Sequence, residues 1–152
     1  AKGYAVDEIA RLIKESGVTN FLVEIGGEVF ASGTNNGDYW VVGVERPDNK
    51  APIGLELVDA SIATSGNYRN FFIWEGAKYI HIFDPTTGLP ANNDLTSVSV
   101  IHPQSAMSDA YATAMMAMGS SRAIELAKKM KLSVLLMAIK EDNVEIIKVN
   151  LP

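Results

Sequence analysis

The chain has 152 residues, a length suited to one domain with a substantial core. Apolar residues make up 47% and charged residues 20%, a globular balance that excludes disorder, and the net charge of −5 argues against nucleic acid or an anionic membrane as the main partner. With no cysteine, disulfides, thiolate zinc sites and thiol catalysis are excluded, whereas an anionic ligand remains open where a metal or clustered N–H groups neutralise it.

In chain order, Val6, Ile9, Ala10 and Ile13 follow the spacing of one helical face, and Gly17 stands where that helix should stop. Residues 21–25 predict a buried strand broken by Gly26-Gly27, and residues 29–32 and 39–45 predict the next two, joined by the turn-rich loop 33–38. Pro47 ends the third. Residues 55–60 and 61–64 continue the β character up to Ser65-Gly66. Residues 78–83 predict a strand running into the turn Asp84-Pro85-Thr86-Thr87-Gly88, and 96–101 another. Met107, Ala110, Tyr111, Ala114, Met115 and Met118 form an apolar helical stripe broken at Gly119, and a second helix covers 122–130. Residues 132–139 and 144–149 close the chain as a hairpin-like pair around Glu141-Asp142-Asn143. The longest apolar run, 133–139, is far too short to span a bilayer and suits a buried strand. A β-rich middle with helices early and late predicts an α+β domain with a mainly antiparallel sheet. No linker or repeat divides it, so residues 1–152 read as one unit, and its abrupt opening at Ala1 reads as that of a fragment or a processed chain.

Asp109 and Thr113 are spaced i, i+4 and should project from one side of their helix, away from the stripe of Met107, Ala110, Tyr111, Ala114 and Met118. A carboxylate and a hydroxyl one turn apart are hard oxygen donors suited to Mg²⁺. Equally, an Asp near a helix N-terminus complements the dipole with no metal involved. Thr64-Ser65-Gly66, with Tyr68 beyond it, reads as a hydroxyl-rich glycine turn able to hold a phosphate, or as an ordinary turn between strands. Gly26-Gly27 permits close backbone approach to a ligand and is equally natural as a hairpin turn. His81, at a strand end before Asp84-Pro85, is placed to accept a proton or to serve structure, and His102 beside Pro103 has a weaker claim.

Taken in order, Ala1-Lys2-Gly3-Tyr4-Ala5-Val6-Asp7, Gly26-Gly27-Glu28, Ala63-Thr64-Ser65-Gly66-Asn67-Tyr68, His81-Ile82-Phe83-Asp84-Pro85-Thr86-Thr87-Gly88-Leu89-Pro90 and Ser108-Asp109-Ala110-Tyr111-Ala112-Thr113-Ala114 resemble the FAD:protein FMN transferases, the ApbE-type family. The resemblance runs from the first residue to the final strands. It implies transfer of FMN from FAD to a threonine of an electron-transport subunit through a phosphoester bond, releasing AMP. It also implies Mg²⁺ held by Asp109, Thr113 and the backbone oxygen of Ala1. Lys2, Tyr4, Gly26, Gly27, Thr64, Ser65, Gly66, His81 and Phe83 correspond to positions at the FAD site, with His81 as the base for the acceptor hydroxyl. Family members are longer, so the chain corresponds to a carboxy-terminal half. The implied amino-terminal half carries the rest of the FAD pocket and a lipid anchor, giving a periplasmic or inner-membrane-attached location. An Mg²⁺-dependent FAD pyrophosphatase with water as nucleophile, or a non-catalytic flavin-binding module, would use the same residues.

Overall fold

The computed structural model describes residues 1–67, 71–74, 77–141 and 143–151; Tyr68 and Asp142, both singled out above, lie outside these. Helix α1 (Lys2–Glu15) buries Gly3, Val6 and Ala10. It ends at Ser16, after which Gly17 takes a φ of +88° that glycine adopts without strain. Strands β1 (Phe21–Ile25) and β2 (Glu28–Ser32) form a hairpin closed by Gly26 and Gly27. Both glycines have positive φ, as a two-residue turn matched to strand twist requires.

Among the described residues, strands β3 (Trp40–Val44) and β4 (Ile53–Leu57) pair only with each other, and β5 (Ala60–Gly66) returns to the main sheet. The break between β4 and β5 falls at Val58-Asp59, with Asp59 at φ +46° and its carboxylate accepting the Gly33 N–H at 3.0 Å. This corrects the sequence reading, which placed the division after residue 60. It also corrects the turn at Thr64-Ser65-Gly66: these residues are the end of β5, paired with Ser99, Val98 and Ser97. Strand β6 (Phe71–Trp74), which the sequence did not announce, pairs with β7 (Ala77–Ile80). The short strands β8 (Phe83–Asp84) and β9 (Leu89–Pro90) flank the expected turn at Asp84. Then follow β10 (Leu95–His102), α2 (Ser105–Met118), α3 (Ser120–Met130), β11 (Ser133–Lys140) and β12 (Asn143–Val149).

The main sheet has six strands in the order β1-β2-β5-β10-β11-β12, every neighbouring pair antiparallel. The alternation of side chains sorts its residues onto two buried faces. On one face Val98, Val100, Val134 and Leu136 meet Ala112, Met115 and Met116 of α2 and Ala123 and Ala127 of α3. On the same side α1 packs Val6 and Ala10 against Phe21, Val23 and Phe30. On the other face Val29, Ala31, Ile62, Leu135 and Met137 meet Val44, Leu55 and Leu57 of the β3–β4 hairpin. The architecture is the α+β arrangement expected.

The buried side of α2 is not the expected stripe. Ser105, Ser108, Ala112, Met115 and Met116 are buried, while Ala110 and Ala114 are exposed. The two serines carry the difference. Ser108 Oγ lies 2.6 Å from Ser61 Oγ, which donates to the His102 carbonyl at 2.7 Å. The satisfied Ser108 hydroxyl enters the core at little cost, and Ser105, whose hydroxyl has no partner among the described residues, is small enough to let α2 sit close on β5. A count of apolar residues rotates the helix wrongly.

Candidate functional site

Four elements converge at one end of the helix-covered face. The start of β2 and the end of β5 lie side by side there, because Val29 pairs with Ile62. The first turn of α1 and the middle of α2 stand over them, and β8 follows His81 at the rim. They enclose a cleft of about 700 Å³, lined among others by Ala1, Lys2, Glu28, Ser65, His81 and Phe83, with Asp109 and Thr113 on its helical wall. That volume falls in the usual range of small-molecule sites.

Asp109 and Thr113 do face one side of α2, as spacing predicts. Asp109 Oδ2 accepts the Gly3 N–H at 3.1 Å and lies 3.5 Å from the Ala1 nitrogen. Among the described residues no hydrogen bond falls on Oδ1. Thr113 Oγ1 is 3.1 Å from Ser65 Oγ, which ties the helix to the end of β5. Thr64 Oγ1 is bonded to Ser99 Oγ at 2.7 Å, so it braces the strand. The Ala1 carbonyl accepts the Ala5 N–H at 3.2 Å and has a second lone pair left over.

Gly3 makes this meeting possible. A Cβ on it would stand 2.3 Å from the Ser105 carbonyl oxygen and 2.8 Å from Asp109 Cβ. Only a glycine lets the two helices approach so closely.

On the opposite wall Lys2 Nζ donates to the Gly26 carbonyl at 2.9 Å and lies 2.7 Å from Glu28 Oε2. Glu28, only 3% exposed, is a buried carboxylate in the cleft wall that the sequence reading passed over. Its signals were its place in the Gly26-Gly27-Glu28 motif and its position: as the first residue of β2 after the glycine turn, it is fixed where Lys2 reaches. The Gly26-Gly27 pair thus acts as the hairpin turn, with the Gly26 carbonyl holding Lys2 and Gly27 N–H bound to Glu24 at 2.7 Å. Neither glycine lines the cleft, and neither does Tyr4. Tyr4 stands 63% exposed and borders a separate groove of about 690 Å³ with Arg11, Phe30 and Met107.

His81 is exposed at the cleft mouth between β7 and β8, next to the exposed ring of Phe83. The turn beyond is held by Asp84, whose Oδ1 accepts both the Thr86 hydroxyl and the Thr86 N–H, at 2.7 and 2.8 Å. The Thr86 hydroxyl above all keeps the Asp84 carboxyl below the usual carboxylate range. His102 is structural: its Nδ1 accepts the Gln104 N–H at 3.0 Å, and its ring packs toward Tyr111.

Among the described residues no three carboxylate or imidazole side chains converge on one point. The available donors are one carboxylate, one hydroxyl and main-chain oxygen, a hard set that suits Mg²⁺ and leaves coordination positions for phosphate oxygens and water.

The ApbE family model matches residues 1–136. A FAD:protein FMN transferase of Vibrio cholerae serotype O1 is 40% identical over 147 residues, covering 94% of this chain and 44% of its own length. The solved flavin transferase ApbE from Vibrio cholerae superposes with a TM-score of 0.87 at 36% identity, over 97% of this chain and 48% of that one. The apo form of Pseudomonas stutzeri flavinyl transferase ApbE gives 0.88 at 33% identity, over 98% and 47%. The chain therefore spans less than half the length of these relatives, but the family model matches most of its residues and the fold agrees over nearly all of them: it belongs to the ApbE family.

Proposed function

We propose that this chain forms the metal-binding wall and the base of an enzyme that transfers FMN from FAD to a threonine of an acceptor protein. The observation that carries this reading is the meeting of Asp109, Thr113 and His81 in one cleft large enough for a nucleotide. Asp109, Thr113 and the Ala1 carbonyl would hold Mg²⁺. When bound, that ion neutralises a diphosphate and stabilises the phosphate that leaves.

The remaining steps belong to this chain's residues. The acceptor threonine Oγ forms a bond to the phosphorus of the FMN half, the bridging P–O bond breaks, and its electron pair departs with AMP. His81 takes the hydroxyl proton, which in such positions contributes about 10²–10⁴-fold. Phe83 offers an aromatic face at the mouth for a flat ring system. Lys2, braced by Glu28 and Gly26, sets a positive charge in the wall against phosphate. Positioning of the two reactants supplies much of the remaining acceleration.

The length of the relatives supports a pocket completed by residues outside this chain. The resemblance also supports an electron-transport subunit as acceptor and a location outside the cytoplasm through a lipid anchor. Cell fractionation tests the latter, and a wholly cytoplasmic pool counts against it.

The decisive assay incubates the intact protein with FAD, Mg²⁺ and an acceptor protein. Covalent flavin should appear on the acceptor, vanish in Asp109→Asn and drop about 10²–10⁴-fold in His81→Asn. Free FMN and AMP with an unlabelled acceptor identify a pyrophosphatase instead. Tight FAD binding without turnover identifies a binding module.

A further inference from the structure

Asp7 lies outside the cleft lining, yet its contacts govern the helix that bears the site. Helix α2 has no capping side chain of its own at Gln104 and no acidic residue in its first turn. Its cap comes from α1: Asp7 Oδ1 accepts the Ser105 N–H at 2.7 Å and Oδ2 accepts the Ala106 N–H at 2.9 Å. One turn earlier on α1, the Gly3 N–H binds Asp109, one turn along α2. Two rungs, Asp7–Ser105 and Gly3–Asp109, thus lace the helices in register, each pair of residues four apart on its own helix.

Resting on the metal reading above, we propose that Asp7 is a positioning residue for the cation site, acting through α2 in two ways. The bidentate cap fixes the rotation and height of α2, which decide where Asp109 and Thr113 present their oxygens. The carboxylate also offsets the positive end of the α2 dipole, roughly half a charge that otherwise opposes a cation held between Asp109 and Thr113. Removing outer partners of metal ligands typically weakens metal binding about 10–100-fold.

The test is titration of the intact protein with Mn²⁺, followed by its EPR signal, alongside Mg²⁺ calorimetry. Wild type should bind, Asp109→Asn should not, and Asp7→Asn, which keeps shape and one acceptor oxygen but loses the charge, should bind about 10–100-fold more weakly. The Mg²⁺ concentration for half-maximal turnover should rise by the same factor, with the rate at saturating Mg²⁺ preserved. Hydrogen exchange at Ser105 and Ala106 in the metal-free protein should quicken. Asp7→Ala should go further in the same direction; if it fails to fold, Asp7→Asn alone decides. Faster exchange with unchanged metal affinity in Asp7→Asn makes Asp7 a helix cap only and overturns the proposal. Equal binding by wild type and Asp109→Asn overturns the metal reading beneath it, a distinguishable result.

Discussion

A methyl group on residue 3 would sit 2.3 Å from the Ser105 carbonyl oxygen, well inside contact distance. Ordinarily Gly→Ala within a helix gains about 0.5–1 kcal/mol. Here the Cβ meets backbone, which moves only if α1 and α2 separate, so overpacking of about 1–3 kcal/mol should win. Gly3→Ala is therefore expected to lower the urea midpoint with an unchanged slope; a rise would mean that the helices part freely. At this scale the sequence was legible where chemistry sat in a local pattern. The i, i+4 pair of Asp109 and Thr113, and His81 before Asp84-Pro85, were readable as candidates. Glu28 and Asp7 were not, because each acts on a residue far away in the chain: Glu28 on Lys2, Asp7 on Ser105 and Ala106. Neither pairing has a periodic signature.

Among the elements, α2 shows how a pattern misleads. Its methionines and alanines drew the stripe to one side, while two small serines, Ser105 and the hydrogen-bonded Ser108, lie on the buried side. The strands fared better, since β-branched alternation survives on a sheet covered on both faces, and β1 was legible to the residue. Between β4 and β5 the break depended on a positive φ at Asp59, which no apolar pattern marks. The junction after α2 is likewise set by side chains from the β9–β10 connection. Asn93 Nδ2 donates to the Met116 carbonyl at 3.0 Å, and Asp94 Oδ1 accepts the Ser120 N–H at 3.0 Å, with the Ser120 hydroxyl bonded to Oδ2. Asp94 thus supplies from another segment the capping carboxylate that the N-cap residue, Gly119, lacks. Its partial burial pushes the carboxyl up, but the Ser120 hydrogen bonds outweigh this and its pKa is lowered. A lowered folded-state pKa means stability that is present above the unfolded value of about 3.9 and lost as pH falls through the lower folded one. Asp94→Ala should cost about 1 kcal/mol near neutral pH. The gap from wild type should persist to about pH 4 and shrink below it. Urea melts at pH 7 and pH 3 check this, and a gap that widens on acidification contradicts it.

Across the whole molecule, one sheet separates two cores with different duties. The helix-side core carries α2 and hence Asp109 and Thr113, whereas among the described residues none of the hairpin-side core lines the cleft. Leu136 and Leu57 make the comparison, since both are almost completely buried leucines, one under α2 and α3 and one beneath the β3–β4 hairpin. Truncation of either to Ala should cost about 2–5 kcal/mol. A cavity under α2 lets that helix settle toward β10 and β11, and the two rungs to α1 then no longer hold Asp109 and Thr113 at a fixed separation from Ser65. A cavity beneath the hairpin is absorbed on the far side of six hydrogen-bonded strands, which resist bending because each is paired along its length. Leu136→Ala should therefore weaken Mg²⁺ binding in calorimetry, while Leu57→Ala, at comparable loss of stability, should leave it unchanged. Equal weakening by both would mean that the site follows global stability and that the sheet does not insulate it.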